Sequence, residues 1–250
     1  MKISVCGKGG SGKSTLVTLL SNQAIARDLK VLVIDADESN TGLFKLLGFD
    51  KPPVPLMALA GGKKKIKDKI GQSTILNAKQ IRPSDIPADY IQQNDGLSQV
   101  SIGKILQALE GCACPMGVLN REFLKKLRMD ANMIALVDME AGVEHFGRGI
   151  EEGIDRVLLM VEPSFESLEI AARIQKLAGG MQKPVAAVLS KVPSKTIAER
   201  LQDELADRGI PVFGSIPNDP LVFEAGLDGH GIEKGPAFDA AGRVLDALLQ

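Results

Sequence analysis

The chain has 250 residues, is 44% hydrophobic and carries 30 basic against 31 acidic side chains. That length and apolar content suit one large α/β domain with a full core and no need of disulfides. The near-neutral balance argues against a dedicated nucleic-acid binder, and scarce aromatics without tryptophan argue against base-stacking platforms.

In chain order, the first residues enter a strand at once, which leaves no room for a secretory leader. Strands are predicted at Lys2–Cys6, Val31–Ile34, Asn132–Val137, Arg156–Val161, Val185–Leu189 and Pro211–Gly214. Helical spacing of apolar residues is found in Lys13–Arg27, Ser164–Leu177, Lys195–Asp207 and Ala237–Leu249. The strand runs are continuously apolar rather than alternating, as in parallel strands buried on both faces. Strand alternating with helix then predicts a mostly parallel central sheet with helices on both faces. The region from Pro52 to Asn120 breaks this rhythm. It opens with Pro52, Pro53 and Pro55, passes Gly61 and Gly62, and carries five lysines between Lys63 and Lys69. We read it as an insertion, about 52–120, within a single domain, with the lysine run as a solvated face. Short runs at Ser73–Ala78 and Leu97–Ile102 are candidate extra strands. No run approaches eighteen apolar residues, so no membrane span is expected. Three cysteines make no disulfide framework, and reduced thiols point to the cytoplasm.

The chemistry begins with Gly7-Lys8-Gly9-Gly10-Ser11-Gly12-Lys13-Ser14-Thr15, between a predicted strand and a predicted helix. It satisfies G-x-x-x-x-G-K-[ST], the phosphate loop of nucleotidases. Glycines let main-chain N–H groups approach phosphate oxygens where a β-carbon would obstruct them. The following helix aims its positive end at the same anion. Lys13 then bridges the β- and γ-phosphates, and the Ser14 hydroxyl ligates Mg²⁺. Gly7, Gly9 and Gly12 also satisfy G-x-G-x-x-G, with Asp35 placed like the ribose acid of a dinucleotide fold. That alternative has no use for Lys13-Ser14, so ATP with Mg²⁺ is the preferred ligand.

Lys8 inside the loop gives K-G-G-x-G-K-S-T, which resembles the deviant phosphate loop of the MinD/ParA/nitrogenase iron protein superfamily. The resemblance implies a P-loop α/β fold, ATP hydrolysis, and a dimer in which Lys8 reaches the partner's nucleotide. Asp35-Ala-Asp37 ends the second strand; by the same resemblance Asp37 orients the attacking water and Asp35 lies in the magnesium shell. Both are also readable as turn or N-cap aspartates. Asp138-Met-Glu-Ala-Gly142 looks like the D-x-x-A-G switch, which implies Asp138 at magnesium through water and Gly142 as the γ-phosphate sensor. Glu140 and Glu144 read as loop charges, and His145 as a packing or hydrogen-bonding residue. Ser190-Lys191 and Ile216-Pro217-Asn218 resemble the segments that frame adenine, although serine stands where the family has asparagine.

Cys6 reads as core. Gly111-Cys112-Ala113-Cys114-Pro115 supplies two thiolates, which select soft or borderline metals. A tetrahedral thiolate site wants four ligands, and a two-fold dimer would complete the set. Cys-x-Cys alone is equally an incidental thiol pair. Taken with the loop and D-M-E-A-G-V-E-H, however, it resembles the CooC family of nickel-handling ATPases. That resemblance implies a homodimer formed on ATP or metal binding, Ni²⁺ or Zn²⁺ at Cys112 and Cys114, and apo carbon monoxide dehydrogenase or acetyl-CoA synthase as client. Neither nucleic acid nor membrane is an expected partner. The alternatives are a ParA/MinD positioning ATPase and an iron–sulfur carrier related to nitrogenase iron protein. Phe238–Gln250 has only Arg243 as a basic residue, which disfavours MinD-like membrane targeting.

Overall fold

A computed structural model describes residues 1–62, 77–104, 114–232 and 234–250. In chain order its elements are β1 (Lys2–Gly7), α1 (Lys13–Ile25), β2 (Lys30–Asp35), α2 (Leu43–Leu46), α3 (Leu56–Leu59), β3 (Gln92–Asn94), β4 (Leu97–Ser101) and α4 (Cys114–Lys126). They continue with β5 (Met133–Asp138), α5 (Glu144–Gly147), β6 (Arg156–Val161), α6 (Phe165–Gly180), β7 (Val185–Ser190), α7 (Lys195–Ala206), β8 (Val212–Ile216), α8 (Pro220–Asp228) and α9 (Pro236–Leu249). Among the described residues, eight strands form one sheet in the order β3-β4-β2-β5-β1-β6-β7-β8. Every neighbouring pair is parallel except β3 with β4.

The continuous apolar runs are explained by two cores. Ile3, Val5, Val31, Val33, Ile134, Leu136, Leu158, Met160, Ala186 and Val188 face one core, built with α1 and α9. Their alternating neighbours Leu32, Ile34, Ala135, Val137, Val157, Leu159, Ala187 and Leu189 face the other, built with α4, α6 and α7. Each fully buried aliphatic side chain contributes about 1.5–3 kcal/mol, and here both faces of each strand collect it.

The strand order reverses at β1. From β1 the chain crosses to β2, returns through β5 and then continues on the opposite side through β6, β7 and β8. Ligands of open α/β sheets bind at the carboxyl ends of strands at such a point. Those ends bring together Gly7, Asp35, Asp138, Glu162, Ser190 and Ile216. The register sets Asp35 directly opposite Asp138, and Asp138 opposite Val5.

All six predicted strands and all four predicted helices are present, within a few residues at their ends. Leu97–Ile102 supplies β4, which pairs with β2, while β3 and helices α2, α3, α4, α5 and α8 are additional. Lys63–Lys69, most of Ser73–Ala78 and Cys112 lie outside the described residues. Among the described residues no helix is long and apolar enough to cross a membrane.

Candidate functional site

The loop from Gly7 to Gly12 adopts conformations that an L side chain resists. Gly7 has φ 142°, Gly10 φ 74° and Gly12 φ 97°. At Gly7 a β-carbon would also sit 2.7 Å from the Met160 carbonyl oxygen. Helices α6, α7 and α8 each begin with a capping side chain, from Ser164, Ser194 and Asp219. Helix α1 instead begins after Gly12 with no side-chain cap. Its first-turn amides therefore stay open toward the loop, the arrangement that attracts an anion.

Lys13 is buried, and its ammonium donates to the Lys8 carbonyl at 3.3 Å. The Ser14 hydroxyl donates to Asp138 Oδ2 at 2.6 Å, and Asn40 Nδ2 donates to the same hydroxyl at 2.8 Å. Asp35 Oδ1, Asp138 Oδ1 and Ser11 Oγ are buried without a hydrogen-bond partner. Burial pushes Asp35 up to about 7, helped by the nearby Asp138 and Asp37 and opposed by Lys104. Burial likewise pushes Asp138 up to about 6, against the Ser14 hydrogen bond and the charges of Lys13 and Lys104. Two facing carboxylates with orphaned oxygens, both resisting ionisation, form a donor set completed by a hard divalent cation. The oxygen-only chemistry of Ser14, Asp35 and Asp138 fits Mg²⁺.

The remaining predicted residues fall around this centre. Asp37 accepts from the Ser39 amide at 2.9 Å and from its hydroxyl at 2.6 Å, closing its own turn. The Gly142 amide donates to the Gly7 carbonyl at 3.2 Å, so the loop after β5 rests on the phosphate loop. Lys8 pairs within the chain with Glu162 at 2.9 Å and Glu166 at 3.1 Å. Ser190 Oγ donates to the Ser11 carbonyl at 2.9 Å, and Lys191 Nζ to the Gly10 carbonyl at 2.6 Å. Both therefore brace the phosphate loop. Ile216 is buried at the end of β8, while Pro217 and Asn218 are exposed. Gly9 is exposed, and Thr15 is half-buried in the first turn of α1. Cys114 opens α4.

The architecture has known counterparts. The CobQ/CobB/MinD/ParA nucleotide-binding domain model matches residues 3–232. The chain is 33% identical over 262 residues to the carbon monoxide dehydrogenase accessory protein CooC of Rhodospirillum rubrum, covering 100% of this chain and 97% of that protein. It belongs to the MinD/ParA superfamily as a CooC-like member. It is a P-loop ATPase of that superfamily. An uncharacterized ATP-binding protein of Methanocaldococcus jannaschii is 41% identical over 234 residues, covering 92% of this chain and 93% of that one. Among solved structures, the septum site-determining protein MinD of Pyrococcus horikoshii, complexed with Mg-ADP, superposes with a TM-score of 0.74 at 19% identity. That pairing covers 99% of this chain and 95% of MinD, and it supports the fold.

Three residues of this CooC-like site escaped the sequence reading. Lys104 pairs with Asp35 at 2.7 Å and donates to the carbonyls of Asp37, at 2.6 Å, and Asn40. A single lysine after a short edge-side strand carries no sequence signal. Asn40 stands in the polar run that follows β2 and is equally silent. Glu162, which holds Lys8, was findable: it is an acid ending an apolar strand, as Asp35 and Asp138 are.

Proposed function

We propose that the chain is a dimeric ATP-dependent metallochaperone. It binds Ni²⁺, or Zn²⁺, at Cys112 and Cys114 shared between two subunits, and it assists maturation of carbon monoxide dehydrogenase or acetyl-CoA synthase in the cytoplasm. The observation that carries this reading is the full-length likeness to the CooC accessory protein. In this reading the segment 52–120 is an insertion that delivers the cysteine pair.

Main-chain amides of Gly7 to Ser14 receive the phosphates of ATP, and Lys13 compensates their charge. Ser14, Asp35 and Asp138 hold Mg²⁺, supported by the orphaned oxygens of the two aspartates. Mg²⁺ held there would supply charge neutralisation at the phosphates. Asp37 orients the attacking water, Gly142 senses the γ-phosphate, and Ile216, Pro217 and Asn218 frame adenine beside Ser190 and Lys191. Lys8 leaves Glu162 and Glu166 and reaches the partner's nucleotide, as an arginine finger does in trans. Phe165 next to Glu166 is 80% exposed, an apolar group suited to that subunit face.

Coupling between nucleotide and metal is supported by α4. Met116, Gly117 and Asn120 of this helix line one small cavity with Ala36 and Glu38 after β2 and with Met139 and Glu140 after β5. The helix that opens at Cys114 therefore packs under both loops that would respond to the γ-phosphate. Lys104, on the other flank of the Cys112 segment, is tied to the first of those loops. Any effect of ATP on metal affinity must equal that of metal on ATP affinity.

Titrating Ni²⁺ with and without a non-hydrolysable ATP analogue, with mass measured in parallel, tests the proposal. Tighter metal binding and dimer formation with the analogue are expected. Cys112→Ala/Cys114→Ala is expected to lose metal and keep nucleotide hydrolysis. Equal affinities and an unchanged mass would remove the coupling.

A further inference from the structure

Beneath the phosphate loop, on the opposite face of β1, lies a second group of ligand-type side chains. Cys6 at the end of β1, His145 in α5 and Glu151 are each 0% exposed, and their ligand atoms all lie within 4.8 Å of one another. His145 Nδ1 is hydrogen-bonded to Glu151 Oε1, while Nε2 lies 3.2 Å from the Gly142 carbonyl. Glu151 Oε2 is buried with no hydrogen-bond partner, and the Cys6 thiol lies beside the His145 ring and 3.7 Å from Ser4 Oγ. A buried carboxylate with one idle oxygen and a sulfur with a weak hydrogen bond are donors that the protein itself does not saturate.

We propose that Cys6, His145 and Glu151 form an intrachain binding site for a borderline divalent transition ion of the Zn²⁺ class. One thiolate, one imidazole and one carboxylate are the donor types such ions take. The Gly142 carbonyl would accept from Nε2–H, which orients the ring and leaves Nδ1 for the ion, the usual outer-shell arrangement of a ligating histidine. The exchange balances. The ion forms bonds to Sγ, Nδ1 and a carboxylate oxygen, while the thiol proton and the Nδ1 proton depart to solvent. The pocket holds zero net charge before, as imidazolium, carboxylate and thiol. It holds zero net charge after, as dication, thiolate, carboxylate and neutral imidazole. No unpaired charge is left in the core, which is what full burial requires.

The placement gives this site a consequence. Cys6 adjoins Gly7, His145 follows Gly142 by three residues, and Gly7 and Gly142 are bridged at 3.2 Å. An ion here ties β1 to the γ-phosphate sensor loop, so its occupancy and nucleotide binding influence one another. The site is independent of Cys112 and Cys114 and of any role assigned to them.

The chain has three cysteines, so Cys112→Ser/Cys114→Ser leaves Cys6 as its one thiol. We would load this variant with Co²⁺, both on the purified protein and during expression, and record its absorption. The expected result is one Co²⁺ per chain with an intense thiolate-to-cobalt charge-transfer band. Further substitution of Cys6→Ala abolishes the charge-transfer band, and His145→Gln weakens Co²⁺ binding at least tenfold while circular dichroism is unchanged. A folded double variant without the band under either loading would overturn the proposal. So would a band that survives Cys6→Ala. If Cys6→Ala fails to fold, the double variant alone decides, because any thiolate band in it must come from Cys6.

Discussion

At Lys104 a single ammonium neutralises a buried acid and pins a loop. Its side chain is 11% exposed against 5% for Asp35, so the pair is largely removed from water. Deleting one partner of such a pair strands the other charge. Without the ammonium the Asp35 pKa rises above about 7, so Lys104→Met is expected to cost little in urea unfolding below pH 7, where the acid is protonated, and progressively more as pH rises above it. The loss should shrink in acid, where Asp35 takes up a proton, and Asp35→Asn/Lys104→Met should regain most of it. Asp138 offers a second test. Its pKa in the fold is about 6 against 3.8 for an ordinary aspartate, so between those values the native state binds more protons than the unfolded chain. Stability without nucleotide therefore falls as pH rises through that window: the contribution is full below 3.8 and lost above about 6. Asp138→Asn has no such proton to lose. We expect it to be more stable than wild type above about pH 6 by on the order of 2 kcal/mol without ligands, and to lose the stabilisation given by Mg·ATP. Thermal unfolding across pH with and without Mg·ATP reads both effects.

The phosphate loop and the element it meets, α6, respond differently to mutation. Gly7 combines a left-handed φ of 142° with a carbonyl 2.7 Å from the missing β-carbon. Gly7→Ala is thus expected to destabilise by about 2 kcal/mol and to abolish nucleotide binding measured by calorimetry. Lys8 instead pairs across the loop with Glu162 and with Glu166 in the first turn of α6. Lys8→Ala should leave Mg·ATP affinity within a few-fold and slow phosphate release by at least about a hundredfold, because in the proposed dimer it removes a charge acting on the transition state. The legible parts of this fold share one property. Runs such as Val31–Ile34 and Met133–Asp138 are buried on both faces, and the phosphate loop is contiguous in sequence, so local pattern and final environment agree. Edge strand β3 is three residues of Gln92-Gln93-Asn94, polar and partly exposed, and its pairing is set by the turn into β4. Lys104 meets Asp35 across 69 positions, and Cys6 meets His145 across 139; only the sheet register brings such residues together. Asp219, which accepts from the amides of both Leu221 and Ala237, is hidden likewise, because only its local cap is visible in sequence.

For the molecule as a whole, the sheet collects the strand ends of the nucleotide site at one edge, and in the function we propose α4 would relay their state toward the cysteine segment. In the dimer we propose, Lys8 would face the partner's phosphates and the two Cys112/Cys114 pairs would share one axis, so both ligands would report on the same assembly. All of this depends on the open amides of α1 and the buried ammonium of Lys13 receiving a triphosphate. Calorimetry of Mg·ATP binding to wild type and to Lys13→Ala tests that claim most directly. The account predicts saturable binding by wild type and at least a hundredfold weaker binding by a folded Lys13→Ala. Absence of binding to wild type, or equal affinity in the variant, would contradict it.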